Sequence, residues 1–195
     1  MIMLIAVASG LIAGSFRARL TKRTYQPVAI RYVSLVFIAY LPQFFAFFLP
    51  ATRQTFPDAW VPPLLVGSQA LLLIFAWFNR RLYGFLLLGL GLLANFLAIS
   101  LNGGLMPLTP HNAEKLLPPN SQVELRLGER VGTGKDILLE KEDTRLWFLG
   151  DIFTLPEWMK YPLAFSIGDI LISMGAFWLF WQLGGPRNLQ QEASP

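Results

Sequence analysis

The sequence contains no cysteine, which excludes disulfides, thiolate catalysis and cysteine-ligated metals. It has a single histidine, His111, so one chain cannot build a multi-histidine metal site. Charge is scarce as well. Only 14% of the 195 residues are Asp, Glu, Lys or Arg and 54% are hydrophobic, whereas a soluble domain carries about 25% charged residues. These deficits place the chain in the membrane class before any segment is read. There is no solenoid-type repeat, and the only low-complexity piece is the polar tail Asn188–Pro195. The net charge of +4 does not point to nucleic acid, because the excess lies in short loops beside apolar runs. That distribution is typical of membrane orientation, and the bilayer is the expected partner. No cofactor and no metal are expected.

What remains is apolar sequence in long runs. Crossing a bilayer in helix takes about 20 apolar residues. Five segments approach or reach that length: 1–16, 28–49, 62–78, 82–101 and 162–183. The expected fold is therefore an all-α membrane protein of about five transmembrane helices. The first run has no Lys or Arg before it and reads as a retained helix rather than a signal peptide. Its Ala6, Gly10 and Gly14 recur every four residues, a spacing that favours close helix contact in lipid. Arg17, Arg19, Lys22, Arg23 and Arg31 lie between the first two runs, and Arg80 and Arg81 between the third and fourth. The positive-inside rule puts these loops in the cytoplasm. The N-terminus is then outside, the tail 184–195 cytoplasmic, and the chain sits in the cell (inner or cytoplasmic) membrane.

Residues 102–161 form an extracytoplasmic segment with seven Lys/Arg and nine Asp/Glu. Asn102-Gly103-Gly104 predicts a sharp turn, with Gly103 or Gly104 at positive φ. Thr109-Pro110 predicts the start of a short helix running to Leu117. Val123–Leu127 and Ile137–Leu139 flank three glycines and suggest a small hairpin. Leu146–Met159 is aromatic and apolar and suits the outer interface.

Polar groups within apolar runs are costly and each needs a reason. Gln43, Gln69, Asn95 and Asp169 each lie seven residues from an expected outer helix end, roughly 10 Å deep at 1.5 Å per residue. Interhelical hydrogen bonding accounts for amides at such positions. An ionised Asp169 needs a partner or water as well. Gly84, Gly91, Asn95, Ala98 and Asn102 share one helix face, small and polar, suited to a bundle interior.

Two Gly-Asp elements, Gly150-Asp151 and Gly168-Asp169, put carboxylates 18 residues apart. Two close carboxylates do not both ionise easily. Such a pair activates water with one oxygen and protonates a leaving group with another. Asp151-Ile152-Phe153, followed by Tyr161 through Gly175 with Ser166-Ile167-Gly168-Asp169, resembles the C-terminal part of lipoprotein signal peptidase (signal peptidase II). The resemblance implies a catalytic aspartate dyad at Asp151 and Asp169, with Ser166 standing where that family has Asn. It covers roughly 25 residues, and the family's Asn-x-x-Asp-Arg element has no counterpart. The chain as a whole resembles an uncharacterised family of bacterial multi-pass membrane proteins. That family shares Asn-Gly-Gly-x-Met-Pro, here Asn102–Pro107, then Leu-Gly-Asp and Ser-x-Gly-Asp.

Two functions are therefore expected side by side. One is a membrane-embedded aspartyl peptidase-like hydrolase with Asp151 and Asp169 catalytic and Asn95, Asn102, Gly103, Gly104, Ser166, Gln43 and Gln69 supporting. The other is a non-catalytic accessory subunit or assembly factor, with a membrane-protein or lipoprotein partner and Asp169 bonded to Asn95.

Overall fold

The computed structural model describes residues 2–22, 24–25, 29–117, 124–159 and 162–184. The described chain is mostly helical. Its α-helices are α1 (Ile2–Leu20), α2 (Ser34–Gln43), α3 (Pro50–Arg53), α4 (Val61–Phe78), α5 (Phe85–Leu101), α6 (Pro110–Leu116) and α7 (Ile167–Leu183). Two helical stretches, Ile2–Leu20 and Asp58–Phe78, are long and apolar enough to cross a membrane. Ser34–Phe48, Phe85–Leu101 and Ile167–Leu183 are apolar and shorter.

The long helices do not pack in chain order. α7 lies against both α1 and α5, α5 against α4, and α4 against α2, giving the order α1–α7–α5–α4–α2. Small residues make the closest contacts. A Cβ on Gly91 of α5 would stand 2.5 Å from the carbonyl oxygen of Gly168 in α7. Backbones this close bring van der Waals contact and interhelical hydrogen bonding where lipid removes any hydrophobic drive between helices. Gly91, Asn95, Ala98 and Asn102 are all buried, as the small, polar face predicts.

Four helix ends differ from expectation. α1 continues past Phe16 to Leu20, because nothing in Arg17–Leu20 breaks a helix. α2 begins at Ser34, and the expected start at Val28 lies outside the described residues. The buried Asn79 side chain explains this later start. It accepts from the Arg31 N–H (2.8 Å) and donates to the Arg31 carbonyl (2.9 Å). Those bonds hold the chain in a turn, with Tyr32 at φ 56°. Pro42 lies inside α2, and residues 44–48 continue it as a π-helical turn. Such turns arise where the regular ladder is interrupted. α5 begins at Phe85 because Gly84, at φ 82°, occupies its N-cap.

The fourth difference matters most for the site. α7 starts at Ile167 rather than at Pro162. Ala164–Phe165 is instead a short strand, β4, paired antiparallel with β3 (Phe153–Thr154). Asp169 therefore sits in the first turn of its helix and not two turns down.

Residues 102–117 and 124–159 cap the ends of α4, α5 and α7. Gly103 and Gly104 both take positive φ, 74° and 81°. They reverse the chain so that Met106 lies over Val61, Leu65, Ala98 and Ile99 in one buried cluster. β1 (Met106–Leu108) then pairs in parallel with β2 (Asp136–Leu138). α6 starts at Pro110 after Thr109, as expected. The expected hairpin forms in part and further along: Arg130 and Ile137 make an antiparallel bridge, the Gly128 N–H donates to the Leu138 carbonyl (2.8 Å) and the Leu138 N–H to the Glu129 carbonyl (3.0 Å). Val123 lies outside the described residues and 124–127 is not a strand. β2 also pairs with β1, where Leu108, Ala113 and Leu138 bury one another in a small core.

Candidate functional site

Two polar networks meet at the end of the molecule where α5 finishes and α7 begins. The first belongs to the start of α7. Ser166, fully buried at its N-cap, accepts from the Asp169 N–H (3.0 Å). Asp169 Oδ2 accepts from the Ser166 N–H (3.1 Å). This reciprocal pair is a capping box, which satisfies two otherwise orphaned donors. Asn95 on α5 joins it: Nδ2 donates to Asp169 Oδ1 (3.0 Å), and Oδ1 accepts from Ser166 Oγ (2.8 Å). Gly168 lies against the Asn95 amide, where any Cβ would overlap it. Ser166, Asn95 and Asp169 thus form one unit across the α5–α7 contact.

The second network is organised by β1. The Asp151 N–H donates to the Pro107 carbonyl (3.0 Å), and the Met106 N–H donates to the Lys135 carbonyl (3.0 Å). Asn112 Nδ2 of α6 donates to the Asp151 carbonyl (3.1 Å). One strand therefore fixes Asp151 and Lys135 beside each other. Lys135 Nζ donates to Asp151 Oδ2 at 2.6 Å and to Asp136 Oδ1 at 3.1 Å. The other Asp151 oxygen, Oδ1, is buried and has no partner.

Asp151 is only 2% exposed. Burial pushes its carboxyl up, Lys135 opposes, and the negative charges of Asp136 and Asp169 add to the rise. The result is about 7, against an ordinary 3.8. Burial pushes the Lys135 ammonium down, but the carboxylates of Asp136, Asp151 and Asp169 outweigh it and hold it well above an ordinary lysine. Asp169 acts on both groups, so the two networks adjoin electrostatically. The Lys135 side chain is 42% exposed, which makes it the boundary between Asp151 and solvent.

Of the remaining expected residues, Asn102 and Gly104 lie beside the networks, whereas Gln43 and Gln69 do not join them. Asn102 donates to the Ala98 and Arg145 carbonyls (2.7 and 2.9 Å) and accepts from the Arg145 N–H (2.9 Å). It pins the end of α5 to the segment leading to Asp151. Gly104 needs its positive φ and also its missing Cβ, which would meet Pro62 at 2.5 Å. Gln43 lies apart from the carboxylates and donates to Ser68 Oγ (2.6 Å) across the α2–α4 contact. Gln69 is not drawn into either network, and its Oε1 is buried without a partner. Lys135, Asp136 and Asn112 were not singled out from sequence. A Gly-Lys-Asp in a polar loop looks like solvated charge, and nothing local marks its long-range pairing. The Ser-x-x-Asp capping signal at Ser166 was present in the sequence. Among the described residues no group of three or more His, Asp or Glu is placed to hold a metal.

A family profile matches residues 27–181, most of the chain. The chain belongs to the DUF5317 family, a family of unknown function. The matched region holds both networks, helices α2 to α6 and nearly all of α7, whereas α1 lies before it. No curated protein and no solved structure matches.

Proposed function

We propose that this DUF5317 chain is a five-span protein of the cell membrane, with an aspartyl hydrolase-type acid–base site at the outer end of its bundle. The observation that carries the reading is Asp151. It is an almost fully buried carboxyl whose pKa burial pushes up to about 7, has one oxygen unpartnered, and lies within the field of a second carboxylate. A general acid needs a proton it can give up at working pH. Asp169 complements it as an oriented acceptor. Each of its oxygens takes one hydrogen bond, and each carboxylate oxygen has a second lone pair to offer water. Charge distribution supports the orientation. Arg17, Arg19, Lys22, Arg31, Arg80 and Arg81 gather where α1, α4 and α7 end, and the carboxylates lie at the opposite end. By the positive-inside rule the basic end is cytoplasmic, the N-terminus is outside and the carboxylates face outward. The likeness of Asp151–Phe153 and Tyr161–Gly175 to lipoprotein signal peptidase supports membrane-anchored polypeptides as substrates.

One observation favours a second reading, an accessory subunit or assembly factor that binds a membrane protein or lipoprotein. The capping box already gives Asp169 a purely structural duty. The deciding experiment compares membrane-protein N-termini in cells carrying the wild type, Asp151→Asn or Asp169→Asn. The hydrolase reading expects both variants to accumulate in the membrane at wild-type levels while the same uncleaved polypeptides build up. Unchanged N-termini in both would leave the subunit reading standing instead.

A further inference from the structure

Asp151 has two oxygens with different fates, and the difference is built by neighbours on β2. We propose that Lys135 and Asp136 act as a positioning pair for Asp151, the ammonium binding Oδ2 so that Oδ1 alone meets a ligand. This rests on the acid–base reading of Asp151 given above and names the residues that prepare it.

The geometry supports the pair at each step. Lys135 Nζ reaches Oδ2 at 2.6 Å and is itself held from the other side by Asp136 Oδ1 at 3.1 Å. A lysine side chain has many rotamers, and the contact with Asp136 adds interaction energy to offset the cost of ordering it beside Asp151. The backbone is fixed too, since β1 binds Lys135 through Met106 and Asp151 through Pro107. A carboxyl group anchored through one oxygen cannot rotate to exchange its two oxygens. The chemistry is thereby assigned to Oδ1, which is buried and unpaired.

The charges acting on Asp151 come from Lys135 and Asp136 at β2 and from Asp169 on α7. α6 presents the neutral Asn112 to the Asp151 carbonyl. Lys135 and Asp136 therefore pull the Asp151 proton affinity in opposite directions. Removing the ammonium raises it, by about one pH unit or more for an opposite charge in direct contact. Removing the Asp136 charge lowers it. A residue that merely packed would move it in neither direction.

Infrared titration of the purified full chain in detergent tests this without any substrate. The protonated-carboxyl C=O band that Asp151→Asn abolishes should titrate with a midpoint near pH 7 in the wild type. Lys135→Gln should move that midpoint up, Lys135→Arg should largely restore it, and Asp136→Asn should move it down. If Lys135→Gln fails to fold, the downward shift in Asp136→Asn still decides. A midpoint unmoved in the folded variants, or no titrating band at all, overturns the proposal. Shifts of the expected sign in a chain whose Asp151→Asn form leaves membrane N-termini unchanged would keep the positioning pair and discard the hydrolase.

Discussion

At the scale of single residues, Asn95 has the most exacting position. One amide donates to a carboxylate and accepts from a hydroxyl, with Gly168 packed against it. Hydrogen bonds between membrane helices contribute under about 1–2 kcal/mol each. Asn95→Leu removes two and strands Ser166 Oγ and Asp169 Oδ1, so a loss of roughly 1–2 kcal/mol is expected. Reversible unfolding in mixed detergent measures it, and an unchanged midpoint would show that the network is dispensable. Asn95 was legible from sequence because an amide amid leucines demands a partner. Lys135 was not, since a lysine in a polar loop reads alike whether solvated or paired. Asp169 was legible as a charge needing a reason, but its depth was misjudged. Pro162 looked like a helix start, and the Ser166 cap four residues later was the stronger signal.

At the scale of elements, the α5–α7 contact and the first half of α4 give opposite expectations for the same substitution. Gly91→Ala drives a methyl to 2.5 Å from the Gly168 carbonyl, a backbone atom that cannot swing aside. Overpacking of this kind costs about 1–3 kcal/mol. Gly67→Ala in α4 meets nothing within 4 Å, so it should be neutral or gain up to about 1 kcal/mol of helix propensity. Thermal shifts of the two variants in the same detergent should differ in sign, and equal shifts would argue against a tight α5–α7 seam. The apolar elements themselves stood out in the sequence by length and composition. Their ends did not, because tertiary grips such as Asn79 on Arg31 decide them. The β1–β2 pairing was equally hidden. Its strands are three residues each and lie far apart in the chain, and a parallel pair leaves no hairpin signature.

At the scale of the whole molecule, the expectation concerns sidedness. Thr133 is exposed in the loop before β2, clear of the Lys135 contacts. A chain with Thr133→Cys as its one cysteine should react with an impermeant thiol reagent in intact cells. Labelling only after lysis would invert the orientation and put the carboxylates inside. Membrane character could be inferred from the scarcity of charge alone, whereas the packing order could not.

That order, α1–α7–α5–α4–α2, bears on how the protein is made. α1 leaves the ribosome well before its neighbour α7, with α2 to α6 between them. At about 5–20 residues per second, α1 waits on the order of ten seconds before its glycine face finds the backbone it fits. During that interval the first helix is a partnerless strip of Gly10 and Gly14 available to any passing helix. The nascent chain thus has a window in which wrong pairings compete, and it closes only when translation reaches α7.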